Sequence, residues 1–252
     1  AQGSASVCFG DAVRAGGLVT DFPETFTGEF ASTALGSLHL HPPTHPPTET
    51  PRSLSDEKWD AAVSLDAFIG AATKHQELWH TTRRLAAISE PIAAAAAALH
   101  APVRLLVLLE DWCGDAIHTI PVVARVAEAM PAAELRVLRR DEHDDLMQRH
   151  LTGTARAIPV VIAYDAHHRE GGWWGPRPSP LEAWVLRDGN AMEKEDRYKA
   201  IRTWYARDRG NTTAAETIAL LQHTERTQTA RHAAAIAAVA TPSVRRSARR
   251  AP

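Results

Sequence analysis

One thiol stands in the stretch Glu110-Asp111-Trp112-Cys113-Gly114-Asp115-Ala116, where an apolar run ends and helical spacing begins. A cysteine at a strand-to-helix junction meets unpaired backbone N–H groups and the positive end of the helix dipole, and both favour the thiolate. The chemistry on offer is nucleophilic attack on a disulfide sulfur to give a mixed disulfide. Where a Cys-x-x-Cys pair would carry its second sulfur stands Ala116, so Cys113 closes no disulfide within its own motif. Glu110, Asp111 and Asp115 all lie within three residues of Cys113. If ionised beside the sulfur they oppose the thiolate. Two readings of Cys113 therefore stand: a reactive nucleophile, or a structural cysteine.

Other candidates cluster less tightly. Asp115 either holds a proton or water near the thiol or complements the dipole of the following helix. His118 lies five residues past Cys113, more than one helical turn on, and reads as a helix residue rather than an acid–base partner. His167-His168 and the group His39, His41 and His45 lack a convergent ligand set, so no metal is expected. Trp173-Trp174-Gly175-Pro176-Arg177 either seals a core edge against neighbouring helices or offers Trp174 and Arg177 to a substrate or partner. With no Gly-rich phosphate loop and no Gly-x-Ser-x-Gly elbow, no cofactor is expected.

The elements that must position these groups follow from periodicity. Ser64 caps helical spacing through Phe68, Ile69, Leu78 and Trp79, continued by Leu85, Ala86 and Ile88. Ser89-Glu90-Pro91 opens a second, alanine-rich helix that Pro102 stops. Val103 to Leu109 is an almost continuous apolar run, the pattern of a strand covered on both faces. Helical spacing from Cys113 to Met130 contains Pro121. A second strand is expected over 134–138, a helix over 141–151 and a third strand over 160–164. A short edge strand is then expected before Gly171-Gly172-Trp173-Trp174, followed by helices over 179–188, 194–207 and 212–223. That order predicts an α/β fold with a mixed sheet between helices.

Three features at compatible spacing carry a family resemblance. Trp112-Cys113-Gly114 follows a strand, Pro121 lies eight residues beyond the cysteine, and Ile158-Pro159 opens a strand with its proline 46 residues beyond it. Over roughly residues 58–224 the chain resembles a bacterial thioredoxin-family protein, a single-cysteine variant with Trp-Cys-Gly-Asp-Ala in place of Trp-Cys-Gly-Pro-Cys. Gly175-Pro176-Arg177-Pro178 and Trp204-Tyr205-Ala206-Arg207-Asp208-Arg209-Gly210 resemble the same subgroup. The resemblance implies a thioredoxin-like mixed sheet sandwiched by helices, with N- and C-terminal helical additions. It assigns Cys113 as the attacking thiol and Pro159 as the cis-proline facing it. Trp112, Gly114, Asp115, Ile158, Trp174 and Arg177 would support the site or line its groove. It does not carry over dithiol reductase chemistry, because the resolving cysteine is absent.

Composition sets the frame. Residues 1–57, with His39-Leu40-His41-Pro42-Pro43-Thr44-His45-Pro46-Pro47-Thr48, show no sustained periodicity and are expected to be a disordered arm. Residues 225–252, Ala/Arg-rich, are expected to be a flexible tail, leaving one domain over 58–224. The net charge of −2 gives no chain-wide signature for nucleic acid, and none is expected as a partner. Neither a secretory leader nor a bilayer-spanning run is visible, so no membrane partner is expected. Two cysteines, Cys8 and Cys113, are too few for a disulfide framework and fit a cytoplasmic setting.

Two functions are compatible with these residues. One is a monothiol thiol–disulfide oxidoreductase in which Cys113 attacks a disulfide-containing protein or a low-molecular-weight thiol's disulfide, and an external thiol resolves the product. The other is a non-catalytic module binding a protein or peptide beside Pro159.

Overall fold

A computed structural model describes residues 53–240. Cys8, the three histidines of the arm and the last twelve residues lie outside the described residues. Four strands form one sheet in the order β2-β1-β3-β4: β1 Val103–Leu109, β2 Ala133–Arg139, β3 Val160–Tyr164 and β4 Glu170–Trp174. β1 runs parallel to β2 and antiparallel to β3, and β3 is antiparallel to β4. Successive strand side chains point to opposite faces, and Leu105 through Leu109 are all buried, so the sheet is covered on both sides.

Among the described residues the helices are α1 Asp56–Ala61, α2 Leu65–Gly70, α3 Gln76–Leu85, α4 Glu90–Ala97, α5 Gly114–Ala129, α6 Asp144–Met147, α7 Ser179–Arg187, α8 Lys194–Asp208 and α9 Asn211–Ala240. Side-chain oxygens of Ser55 and Ser64 cap α1 and α2. The apolar pattern from Ser64 to Ile88 is two helices rather than one, because the chain turns at His75, whose φ is +53°. The stretch expected as one helix over 141–151 is a 3-10 turn, Arg140–Glu142, then the single turn α6, broken at His143 with φ −132°. Gly171-Gly172-Trp173-Trp174 is not the segment after the edge strand. It is the strand itself, with Thr224 of α9 packed so close to Gly171 that a Cβ there would lie 2.6 Å from the threonine methyl.

Both ends of the described chain carry order beyond the expected limits. Leu54, within the segment read as a disordered arm, is buried, and its N–H donates to the carbonyl of His168. At the other end α9 does not stop near residue 223 but continues to Ala240. Two contacts hold that continuation. The Glu225 carboxylate accepts from the amides of His100 and Ala101, and Arg231 donates to buried Asp165 and to the carbonyl of Glu170. No described helix is long and apolar enough to cross a membrane.

Candidate functional site around Cys113

The turn from β1 into α5 is built from the carboxylates that surround the cysteine in sequence, and each braces a different element. Glu110 is buried; one of its oxygens accepts from the amide of Asp141, and the other from Arg139 at 3.1 Å. Asp111, also buried, accepts from the amides of Thr73 and Lys74 and the hydroxyl of Thr73, which fastens the α2–α3 connection. Burial alone would raise its pKa, but the Thr73 and Lys74 amides outweigh that and hold it below the ordinary carboxylate range. The Asp111 carbonyl takes the indole N–H of fully buried Trp79 at 2.9 Å, so α3 is fastened as well. Glu110 and Asp111 therefore face these braces.

Asp115 is the carboxylate that acts on the sulfur. It lies in the first turn of α5, forms an ion pair with Arg177 at 2.8 Å and accepts from the Tyr205 hydroxyl at 2.9 Å. Arg177 also reaches Glu182 at 2.7 Å, so one guanidinium spans the turn before α7, the helix itself and α5. Burial raises the Asp115 pKa, while Arg177 and Tyr205 work against that rise. The Tyr205 ring stacks on His118 with centroids 4.7 Å apart and planes 19° off parallel. Burial, and after it the charge of Arg202, push His118 down to about 4, which leaves it a neutral ring at pH 7.

Cys113 itself sits at the N-cap of α5 with extended backbone, and its side chain is buried. The S–H donates to the carbonyl of Ile158 at 3.3 Å. The peptide bond from Ile158 to Pro159 is cis, as is that from Gly175 to Pro176. The two turns are pressed together: Gly175 has φ +131°, and a Cβ on it would lie 2.1 Å from the Pro159 carbonyl oxygen. Only glycine fits there. Burial, with the Asp115 charge second, pushes the Cys113 thiol up to about 11. The amides of Ala116 and Asp115 and the charge of Arg177 pull the other way and lose.

The residues singled out from sequence are thus divided by the structure. Cys113, Gly114, Asp115, Ile158, Pro159 and Arg177 come together at the end of α5. Trp112 is next to them but points outward, 47% exposed, with the Arg140 guanidinium 5.1 Å from its ring centre. Trp174 is in the core: its indole N–H donates to Glu216 of α9 at 2.6 Å, and the same carboxylate takes the amide of Ser179. Tyr205 and Glu182 were not marked as site residues by their own chemistry. The one signal at Tyr205 was its place in the Trp204–Gly210 stretch; Glu182 carried none. Among the described residues no group of histidine, cysteine and carboxylate side chains is arranged to hold a metal.

No curated protein matches the chain. A crystal structure of a protein of unknown function from Pseudomonas aeruginosa is similar in fold, with TM-score 0.54, 21% identity, and coverage of 67% of this chain and 98% of that one. An HIV epitope scaffold is similar as well, with TM-score 0.52, 20% identity, and coverage of 66% and 96% respectively. A family model described as thioredoxin matches residues 62–199, a span that runs from the helices bracing Asp111 through the cysteine turn and the cis-prolines into α8. Since that span is more than half of the chain, the protein belongs to the thioredoxin family.

Proposed function

We propose that this protein is a thioredoxin-fold binding module for a protein or peptide partner, with Cys113 held as a protonated, non-nucleophilic thiol. The observation that carries the reading is the buried S–H of Cys113 donating to the Ile158 carbonyl. A thiol whose pKa is pushed up to about 11 keeps well under a thousandth of its population as thiolate at pH 7. Ala116 supplies no second sulfur to release a mixed disulfide. The surface left for a partner is the exposed indole of Trp112 with Gly114 beside it, stiffened by Arg140. An aromatic anchor that is already fixed loses little entropy on binding. A reducing, cytoplasmic setting belongs to the same proposal.

Monothiol exchange is the second reading, and one feature favours it: Cys113 stands at the N-terminus of a 16-residue helix with two amides turned toward its sulfur. The pH profile of alkylation separates the two. With Cys8→Ser to leave one thiol, iodoacetamide incorporation at Cys113 should rise through a midpoint near pH 11. A midpoint at or below the reference of about 8.5 would overturn the binding-module reading and favour exchange. In the binding reading Cys113→Ser keeps partner capture and Trp112→Ala loses it.

A further inference from the structure

Away from the cysteine turn, the core holds another pair of titratable groups. His150, just past α6, and Glu170, which opens β4, are buried, at 1% and 5% exposure. The ring nitrogen Nδ1 lies 2.7 Å from the carbonyl oxygen of Leu146, and Nε2 lies 3.3 Å from Oε2 of Glu170. The Trp173 ring stands edge-on against the imidazole, with centroids 5.8 Å apart. Among the described residues no other group hydrogen-bonds to Nε2 or to Oε2. The charged groups of the flanking elements are engaged elsewhere. In α6, Asp144 pairs with Arg156, and Asp145 with Lys58 and Arg149. Before β4, Asp165 pairs with Arg169 and with Arg231 of α9, and Arg231 reaches the Glu170 carbonyl rather than its carboxylate. On β3 the cross-strand neighbour of Glu170 is Tyr164, also buried.

A carbonyl oxygen and a carboxylate oxygen thus stand at the two nitrogens of one ring. A neutral imidazole carries a single N–H, and an ionised carboxylate only accepts. With the N–H on Nδ1, a lone pair faces the carboxylate; with it on Nε2, a lone pair faces the Leu146 carbonyl. Burial keeps water from relieving either clash, and an unmet acceptor there is costly. One further proton in the gap between Nε2 and Oε2 removes the clash. The count is the same for imidazolium with carboxylate and for imidazole with carboxylic acid, so the proton belongs to the pair. We infer that His150 and Glu170 fold as a pair sharing one buried proton, which makes the attachment of α6 to β4 a pH-sensitive clasp that weakens above neutral pH. In the unfolded chain at pH 7 to 8 the carboxylate is ionised and the ring carries one N–H, so folding takes a proton from solvent. Between about pH 4.5 and 6.5 the pair holds the same protons folded and unfolded, and its stabilisation is whole. Above that range it falls as pH rises.

Glu170→Gln tests the clasp, because the amide N–H can donate to Nε2 without a borrowed proton. Urea unfolding of parent and variant at pH 7 and pH 8 gives the unfolding constant of each. Over that one unit it should rise about ten-fold more in the parent than in the variant, the effect of one proton. An equal pH dependence in the two proteins overturns the inference. If the variant does not fold, NMR of the parent at pH 7.5 decides, with 15N reporting the His150 ring and 13C the Glu170 carboxyl. Two ring N–H groups beside a carboxylate, or one beside a neutral carboxyl, upholds the shared proton. A single ring N–H beside an ionised carboxylate refutes it, and so does full protonation of both groups.

Discussion

His118 shows how the site's burial reaches into solution behaviour. Its ring is neutral in the fold because burial holds its pKa at about 4, against 6.5 for the free side chain. Between those values the unfolded chain takes up a proton that the folded chain refuses, so unfolding is favoured as pH falls from about 6.5 towards 4. The stability at stake is about 2 kcal/mol, allowing for the ring's partial exposure. His118→Phe keeps a ring to stack on Tyr205 and removes the titration. Urea unfolding at pH 7.5 and 4.5 should show a smaller loss of stability in the variant than in the parent. An equal loss in both would mean that His118 is protonated in the folded state. The same residue scale explains what sequence could and could not show about the carboxylates. Along the chain Glu110, Asp111 and Asp115 all lie within three residues of Cys113. The fold sends the first two to Arg139, Asp141, Thr73 and Lys74, and leaves only Asp115 to act on it. Tyr205, ninety residues from Asp115, could not be paired with it by any local pattern.

Among elements, the junction of β4, α7 and α9 turns on one carboxylate. Glu216 accepts two donors at once, the Trp174 indole on one oxygen and the Ser179 amide on the other. Burial raises its pKa, and from that alone the neutral Glu216→Gln would be expected to stabilise the protein. Donor geometry predicts the opposite. A glutamine offers one acceptor and one NH2, so in either orientation an N–H faces an N–H. Leaving a buried donor unpaired costs about 1–3 kcal/mol, more than the charge term recovers, so the urea midpoint should fall. A midpoint unchanged or raised would show that burial of charge dominates the junction. Strands and helices with their own periodicity, such as β1, β3 and α5, were legible from sequence. β4 is expected to end before Gly171 but runs through Gly171 and Gly172 to Trp174, because at Gly171 the Thr224 side chain of α9 comes close enough to need the space of a missing Cβ. The continuation of α9 was missed for a related reason. Its alanines carry no amphipathic signal, and Arg231 is fixed by Asp165, 66 residues away in the chain.

Across the whole molecule, the N-terminal helices, the sheet and the C-terminal helices converge on one short turn. Asp111 fastens the first group, Glu110 the end of β2 and Asp115 the last. The peptide bond before Pro159 is cis, and the Cys113 thiol is engaged with the carbonyl of Ile158 just before it. The seven tryptophans, at 59, 79, 112, 173, 174, 184 and 204, all lie within the described residues, and every one except Trp112 is buried. Iodide, which does not enter the core, should therefore quench the emission of one indole out of seven. That gives the protein a built-in optical reporter of its proposed docking surface. A partner seated on Trp112 should abolish the iodide-sensitive fraction, and Trp112→Phe should remove it with no partner present. Iodide sensitivity that survives Trp112→Phe would place the accessible indole elsewhere.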